Sequence, residues 1–247
     1  MPKIINLRGP LIPNDYKWIY DLFEYESICP NDISNAINEA LEKSDSVIFR
    51  VNSPGGYVSA GADIYEMIRS SNVETETRIV GDCCSAATYI ACAADKTTMS
   101  PLAQYMIHRS SVSASGNASD FATALQMLNE TDRAIASAYA IKTGLSQEEI
   151  IELMNEETYM NAQTAKELGF IDSILFENEF AQNKINIGQK NIVNSTNCMI
   201  DESIINQMQE NKQSILNNQH NADFFNAQKR KSLARLNLLK LGGKVDE

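Results

Sequence analysis

Histidine is nearly missing from this sequence: two are present, His108 and His220. With no C-x-x-C pair beside them, a zinc site is not expected. The five cysteines (Cys29, Cys83, Cys84, Cys92 and Cys198) are odd in number and lack framework spacing. A reducing cytoplasm fits them better than a disulfide scaffold. No run approaches the roughly 18 apolar residues that span a bilayer, so no membrane partner is expected. The opening MPKIINLRGP lacks the apolar stretch and small-residue cleavage site of a secretory signal. Positive charge is also short, with 21 Lys+Arg against 32 Asp+Glu and a net charge of −11. The deficit lies in residues 1–180, which hold 12 basic against 26 acidic residues, whereas residues 181–247 hold 9 against 6. An acidic body repels phosphates, which argues against nucleic acid as the main ligand.

What remains is an ordinary globular balance, 43% hydrophobic and 21% charged, over a length of 247 residues that suits one large domain with an appendage. SVIFRV (46–51) is β-branched and apolar, and it runs into the turn Asn52-Ser53-Pro54-Gly55-Gly56. SAGADIYEMIRSS follows with Ala62, Tyr65 and Ile68 at helical spacing. TRIVGD (77–82) is a second strand, leading into CCSAATYIACAA, rich in small helix formers, and a third pass runs from Thr97 to Ile107. This strand–turn–helix rhythm predicts an α/β domain. DISNAINEALEKS (32–44) reads as a separate amphipathic helix.

The polar stretch RSSVSASGNAS after His108 reads as an exposed arm or loop. Ser119 is then expected to cap a long helix, with Phe121, Leu125, Leu128, Ile135 and Tyr139 mostly on one face and an end near Gly144. Ser146 and Glu149 fit a capping box for the next helix. Trp18 with Tyr16, Tyr20, Phe23 and Tyr25 reads as local packing, and Met106, Met154 and Met160 as core. Near residue 180 the composition turns rich in Asn and Gln. Residues 1–180 are therefore read as the folded domain and 181–247 as linker and a helical or partly disordered tail.

For chemistry, Gly56, Ser85 and His108 stand out. Ser85 follows a strand and opens a helix, where small neighbours admit a carbonyl and free N–H groups meet a developing oxyanion. A serine hydroxyl needs a base, most often an imidazole, and His108 is the candidate within the body. The competing reading makes Ser85 a helix cap and His108 a strand-end residue.

The strings VNSPGGYVSAGADIY, GDCCSAATYIACAAD, MIHRS and ETYMNAQTAKELGFID together resemble the ClpP family of serine peptidases. They resemble more closely its phage and prophage branch, the ClpP-like prohead (head maturation) proteases. Ile5-x-x-Arg8-Gly9 and YDLFEYESICPNDISNAINEA resemble that branch too, and the likeness covers about residues 3–178 in order. The resemblance implies a ClpP/crotonase-like fold. It implies Ser85 as nucleophile, His108 as base, and Glu157 as the acid where the family usually has aspartate, with Glu156 and Asp172 as alternatives. Oxyanion donors would be the backbone N–H groups of Gly56 and Ala86, alanine standing where methionine is usual. Cys84 replaces an alanine and is expected to pack. The serine-rich arm 110–119 corresponds to the family's handle region, unless it is a plain surface loop.

The function so implied is a serine endopeptidase cleaving capsid-assembly proteins, scaffold or capsid protein, during phage head maturation. It would act as a ring-shaped homo-oligomer in the bacterial cytoplasm or within the prohead, with no metal, nucleotide or organic cofactor. Three rivals stay open: a host-type ClpP subunit working with an ATP-driven unfoldase, a non-catalytic assembly subunit, and a crotonase-like acyl-CoA enzyme.

Overall fold

The computed structural model describes residues 1–43, 45–177 and 202–210. Its centre is a sheet whose strands β1 (Lys3–Arg8), β2 (Val47–Ser53), β3 (Thr75–Cys84), β4 (Lys96–Met99) and β7 (Ser173–Ile174) lie in that order, each pair parallel. β3 is long enough to serve two neighbours on one side. Its first half pairs with β4, and Asp82, Cys83 and Cys84 pair with Gln104, Tyr105 and Met106 of β5 (Gln104–Ile107). β6 (Thr158–Met160) closes this corner antiparallel to β5. The third pass, read as one from sequence, is thus two strands. The turn around Pro101 separates them and sends each to a different stretch of β3.

The apolar pattern explains the layering. Val47, Phe49, Val51, Ile79 and Met99 are fully buried in the sheet, each such side chain stabilising by about 1.5–3 kcal/mol. α2 (Pro30–Lys43) buries Ile33, Ala36, Ile37 and Ala40, and α3 (Val58–Arg69) buries Ala60, Ile64 and Ile68 at helical spacing. α4 (Thr88–Ala93) is buried throughout. The mixed α/β architecture expected from the strand–turn–helix rhythm is the one observed.

α5 (Ala118–Thr143) begins two residues earlier than read from sequence. Asn117 is its cap, accepting from the N–H groups of Ser119 and Asp120, while Asp120 answers to the Asn117 N–H. The helix ends at Gly144, whose φ of 78° is left-handed. Its face divides: Phe121 and Leu125 are exposed, whereas Ile135, Ala136 and Tyr139 are buried. α6 (Gln147–Asn155) opens on the expected Ser146–Glu149 capping box, and α7 (Ala162–Glu167) follows β6.

A second, smaller apolar cluster lies at the front. Ile12, Ile19, Tyr20, Phe23 and Cys29, around α1 (Lys17–Leu22), enclose Ile205 of α8 (Glu202–Glu210), with Tyr16, Trp18, Tyr25, Tyr57 and Met208 packed around them. Gln209 Nε2 donates to the Asp15 carbonyl at 2.7 Å. The remainder of the stretch read as linker and tail lies outside the described residues.

Candidate active site

Three connections leave the carboxyl ends of parallel strands side by side. The turn after β2 carries Gly55 and Gly56, the end of β3 carries Ser85, and the end of β5 carries His108. Ligand sites in open parallel sheets form beyond these strand ends. Cys83 and Cys84, read from sequence with the following helix, instead finish β3. A short 3-10 turn, Ser85–Ala87, then enters α4.

Ser85 adopts φ 54°, left-handed backbone that a residue with a side chain rarely holds. Its carbonyl accepts from Thr88 Oγ1 at 2.6 Å. The Thr88 proton being spent there, the Tyr139 hydroxyl, 2.6 Å from Thr88 Oγ1, is the donor of that second bond. Burial holds the Tyr139 phenol well above its ordinary value, so the donating proton stays in place. A chain of three residues, with Thr88 and Tyr139 buried, therefore ties the Ser85 turn to α5.

His108 Nε2 lies 2.7 Å from Ser85 Oγ, both residues half-buried. A neutral imidazole at that distance can take the hydroxyl proton as the oxygen attacks a carbonyl.

The glycine pair divides its work. A Cβ on Gly55 would sit 2.6 Å from the Cys84 carbonyl oxygen and 2.6 Å from Ser85 Cβ, and 3.1 Å from Ala86 N, so Gly55 is what lets the turn lie against the serine. Gly56 instead abuts Leu11, where a Cβ would meet the carbonyl oxygen at 2.2 Å. Leu11 N–H donates to the Gly55 carbonyl at 2.8 Å, and Tyr57 N–H to the Leu11 carbonyl at 3.0 Å. That bridge leaves the Gly56 N–H on the opposite side of its segment. Ala86 is fully buried.

Glu157 lies one step beyond the Ile107–Thr158 pair, which puts it across from His108 at the strand ends. It is exposed, has φ 48°, and makes no hydrogen bond to His108 among the described residues. Glu156 is also exposed, at the end of α6. Asp172 is engaged elsewhere, accepting from Thr97 N–H at 2.6 Å and from Lys142 Nζ at 3.1 Å. Cys84 is buried beside the serine, and burial, with the Asp82 charge second, pushes its thiol up to about 12. It stays protonated at neutral pH and packs.

Two features escaped sequence reading. Gly55 was one half of a readable Pro-Gly-Gly turn. Asp132 is 3% exposed and was legible as the one acid on the stripe formed by Leu125, Leu128, Ile135 and Tyr139.

A family model described as Clp protease matches residues 32–178, more than half of the chain. The chain belongs to the Clp protease family. It is 30% identical over 142 residues to the ATP-dependent Clp protease proteolytic subunit 1 of Chlamydia abortus, covering 56% of this chain and 74% of the relative. Against the ATP-dependent Clp protease proteolytic subunit of Pleurastrum terricola it is 30% identical over 161 residues, 61% of this chain and 82% of the relative. The subunit of the same name from Mesostigma viride is 31% identical over 136 residues, 54% and 59%. The Clp protease-family chain is accordingly a serine peptidase, of a family that forms ring-shaped homo-oligomers and acts on protein substrates. Among the described residues no helix is long and apolar enough to cross a membrane.

Proposed function

We propose that this Clp protease-family member is an endopeptidase that processes capsid-assembly proteins during phage head maturation, with Ser85 as its nucleophile. The observation carrying the chemistry is the 2.7 Å contact between Ser85 Oγ and His108 Nε2 at a strained strand–helix turn. His108 takes the Ser85 proton as the oxygen attacks the peptide carbonyl. The N–H groups of Gly56 and Ala86 receive the oxyanion. His108 then gives its proton to the leaving amine, and water repeats the sequence on the acyl-enzyme. Glu157, across from His108 at the strand ends, supplies negative charge beside the imidazolium. Enclosure in a ring restricts cleavage to extended segments that can enter, which suits timed processing within the bacterial cytoplasm or the prohead. The resemblance of the front segment to prohead proteases supports the capsid substrates.

The test is labelling by a serine-reactive phosphonate, followed by incubation with capsid or scaffold protein. Label at Ser85, lost in Ser85→Ala, together with cleavage of those proteins is the expected result. A chain that neither takes label nor cleaves would overturn it.

A second reading has its own support: the relatives named ATP-dependent Clp protease proteolytic subunit are matched over 74% and 82% of their lengths. The chain would then work with an ATP-driven unfoldase. Co-purification with such an unfoldase, and degradation of a folded protein only when ATP is present, would decide for this reading.

A further inference from the structure

Asp132 sits on the buried face of α5, 3% exposed, with both carboxylate oxygens occupied. Oδ1 accepts from the Ser110 N–H at 2.8 Å and from Ser110 Oγ at 2.7 Å, and Oδ2 accepts from Arg109 Nε at 2.7 Å. These partners are the two residues that follow His108. β5 ends at Ile107, so the sheet ladder stops one residue short of the imidazole-bearing position. Beyond that point one carboxylate holds the Arg109 side chain and the Ser110 backbone N–H. Arg109 carries the tie further: its guanidinium reaches Asn129 Oδ1 at 2.9 Å and Asn155 Oδ1 at 3.4 Å, two residues before Glu157. Arg109 thereby joins the end of β5 to the end of α6 as well as to Asp132 and Asn129 of α5. Burying a carboxylate is costly unless donors surround it. Here the donors come from the segment whose position the chemistry depends on.

We propose that Asp132 is the positioning residue for His108, fixing the imidazole against Ser85 through the side chain of Arg109 and the main chain of Ser110. The inference rests on the reading of Ser85 and His108 as the catalytic pair. Asp132 does not touch the reacting atoms. Its loss would let the strand end drift, and a displacement near 1 Å costs about 10²-fold in rate.

The experiment uses the full chain and measures kcat and KM on a peptide alongside the rate of phosphonate labelling at Ser85. Asp132→Ala is expected to lower kcat and the labelling rate roughly 10²-fold while KM moves less than about threefold. Asp132→Asn, which keeps an acceptor for Ser110 but not the charge facing Arg109, should restore part of the loss. A folded Asp132→Ala of parental kcat overturns the proposal, as does a loss confined to KM. If Asp132→Ala does not fold, Arg109→Gln decides, because that side chain is 44% exposed and its exchange leaves the core intact. A fall in kcat of about tenfold supports the proposal, and parental kcat overturns it. Labelling of the parent chain, absent in Ser85→Ala, reports separately on the catalytic pair.

Discussion

At Ser85 the chain takes φ 54° between a strand and a helix, and at Glu157 it takes φ 48° between a helix and a strand. Each departure from ordinary backbone costs about 1–3 kcal/mol and persists only where the surroundings enforce it. The surroundings differ sharply. Ser85 is wedged against Gly55, its carbonyl is held by Thr88, and Thr88 is held in turn by Tyr139. Glu157 turns in solvent, with its backbone N–H donating to the Met154 carbonyl at 3.3 Å and its carboxylate exposed. One turn is fixed from every side, whereas the other is fixed by its main chain alone. Geometry at the serine is therefore built into the folded chain, whereas the Glu157 carboxylate lies exposed.

The largest effect expected is at Ser85. Ser85→Ala should abolish peptide hydrolysis and phosphonate labelling, with a loss of several orders of magnitude. Ser85→Gly should be as inactive yet melt higher than Ser85→Ala, because glycine relieves the left-handed strain by about 1 kcal/mol. Calorimetry of the two variants checks this. Equal melting temperatures would mean the turn carries no strain.

Gly55→Ala comes next. The added methyl meets the Cys84 carbonyl oxygen and Ser85 Cβ at 2.6 Å, at a φ of 98°. A stability loss on the order of 2–4 kcal/mol is expected, with hydrolysis falling further than binding. Denaturant midpoints and peptide kinetics read both. Gly144→Ala is the control, since its φ of 78° is strained too but nothing lies within 4 Å of the added methyl. It should lose stability alone.

At Glu157 the expected loss is smaller. Glu157→Gln should lower kcat/KM about tenfold, because an exposed charge is screened by water and salt. A fall beyond about 10³-fold would show that the carboxylate closes onto the imidazole in the working enzyme. Glu157→Gly should gain stability as Ser85→Gly does while losing no more activity than Glu157→Gln.

The smallest effect concerns the buried thiols of β3 and α4. Burial first of all raises Cys83, pushes Cys84 up to about 12 and Cys92 up to about 11, against an ordinary 9.0. Alkylation of the native chain at neutral pH should thus be slow at all three. Their contribution to stability is fully present below pH 9. Above it the unfolded chain sheds thiol protons that the folded chain retains, so stability should decline as pH rises toward 11–12. Melting curves across this range test the sign.

The strands that carry the site were readable because SVIFRV and TRIVGD are rich in β-branched residues, and SVIFRV runs into a recognisable Pro-Gly-Gly turn. Ser85 and His108 were readable from their motifs, and the structure brings them within hydrogen-bond distance. What local pattern could not supply was pairing. Nothing near Pro101 says that β4 and β5 address different halves of β3. Ser119 reads as the cap from sequence, whereas the structure uses Asn117; both are good acceptors, and only the position of the first helical turn separates them. Asp132 broke an apolar stripe, but its meaning depends on Arg109 and Ser110 arriving from 23 and 22 positions away. Phe121, Leu125, Leu128, Ile135 and Tyr139 read mostly onto one face of α5, and its exposed first half shows that a stripe names a side and not a neighbour.

The front cluster has a consequence for the order of synthesis. Ile12, Ile19, Tyr20, Phe23 and Cys29 leave the ribosome early, while Ile205, which they enclose, is made after the whole catalytic sheet. Until then the nascent chain carries an aromatic-rimmed apolar surface with its covering piece still unmade. Chains fold from the first-made end as they emerge, and exposed apolar surface at that stage favours association with other chains. Translation that stops short of α8 thus yields a product with the serine and histidine in place and an open apolar surface beside α1.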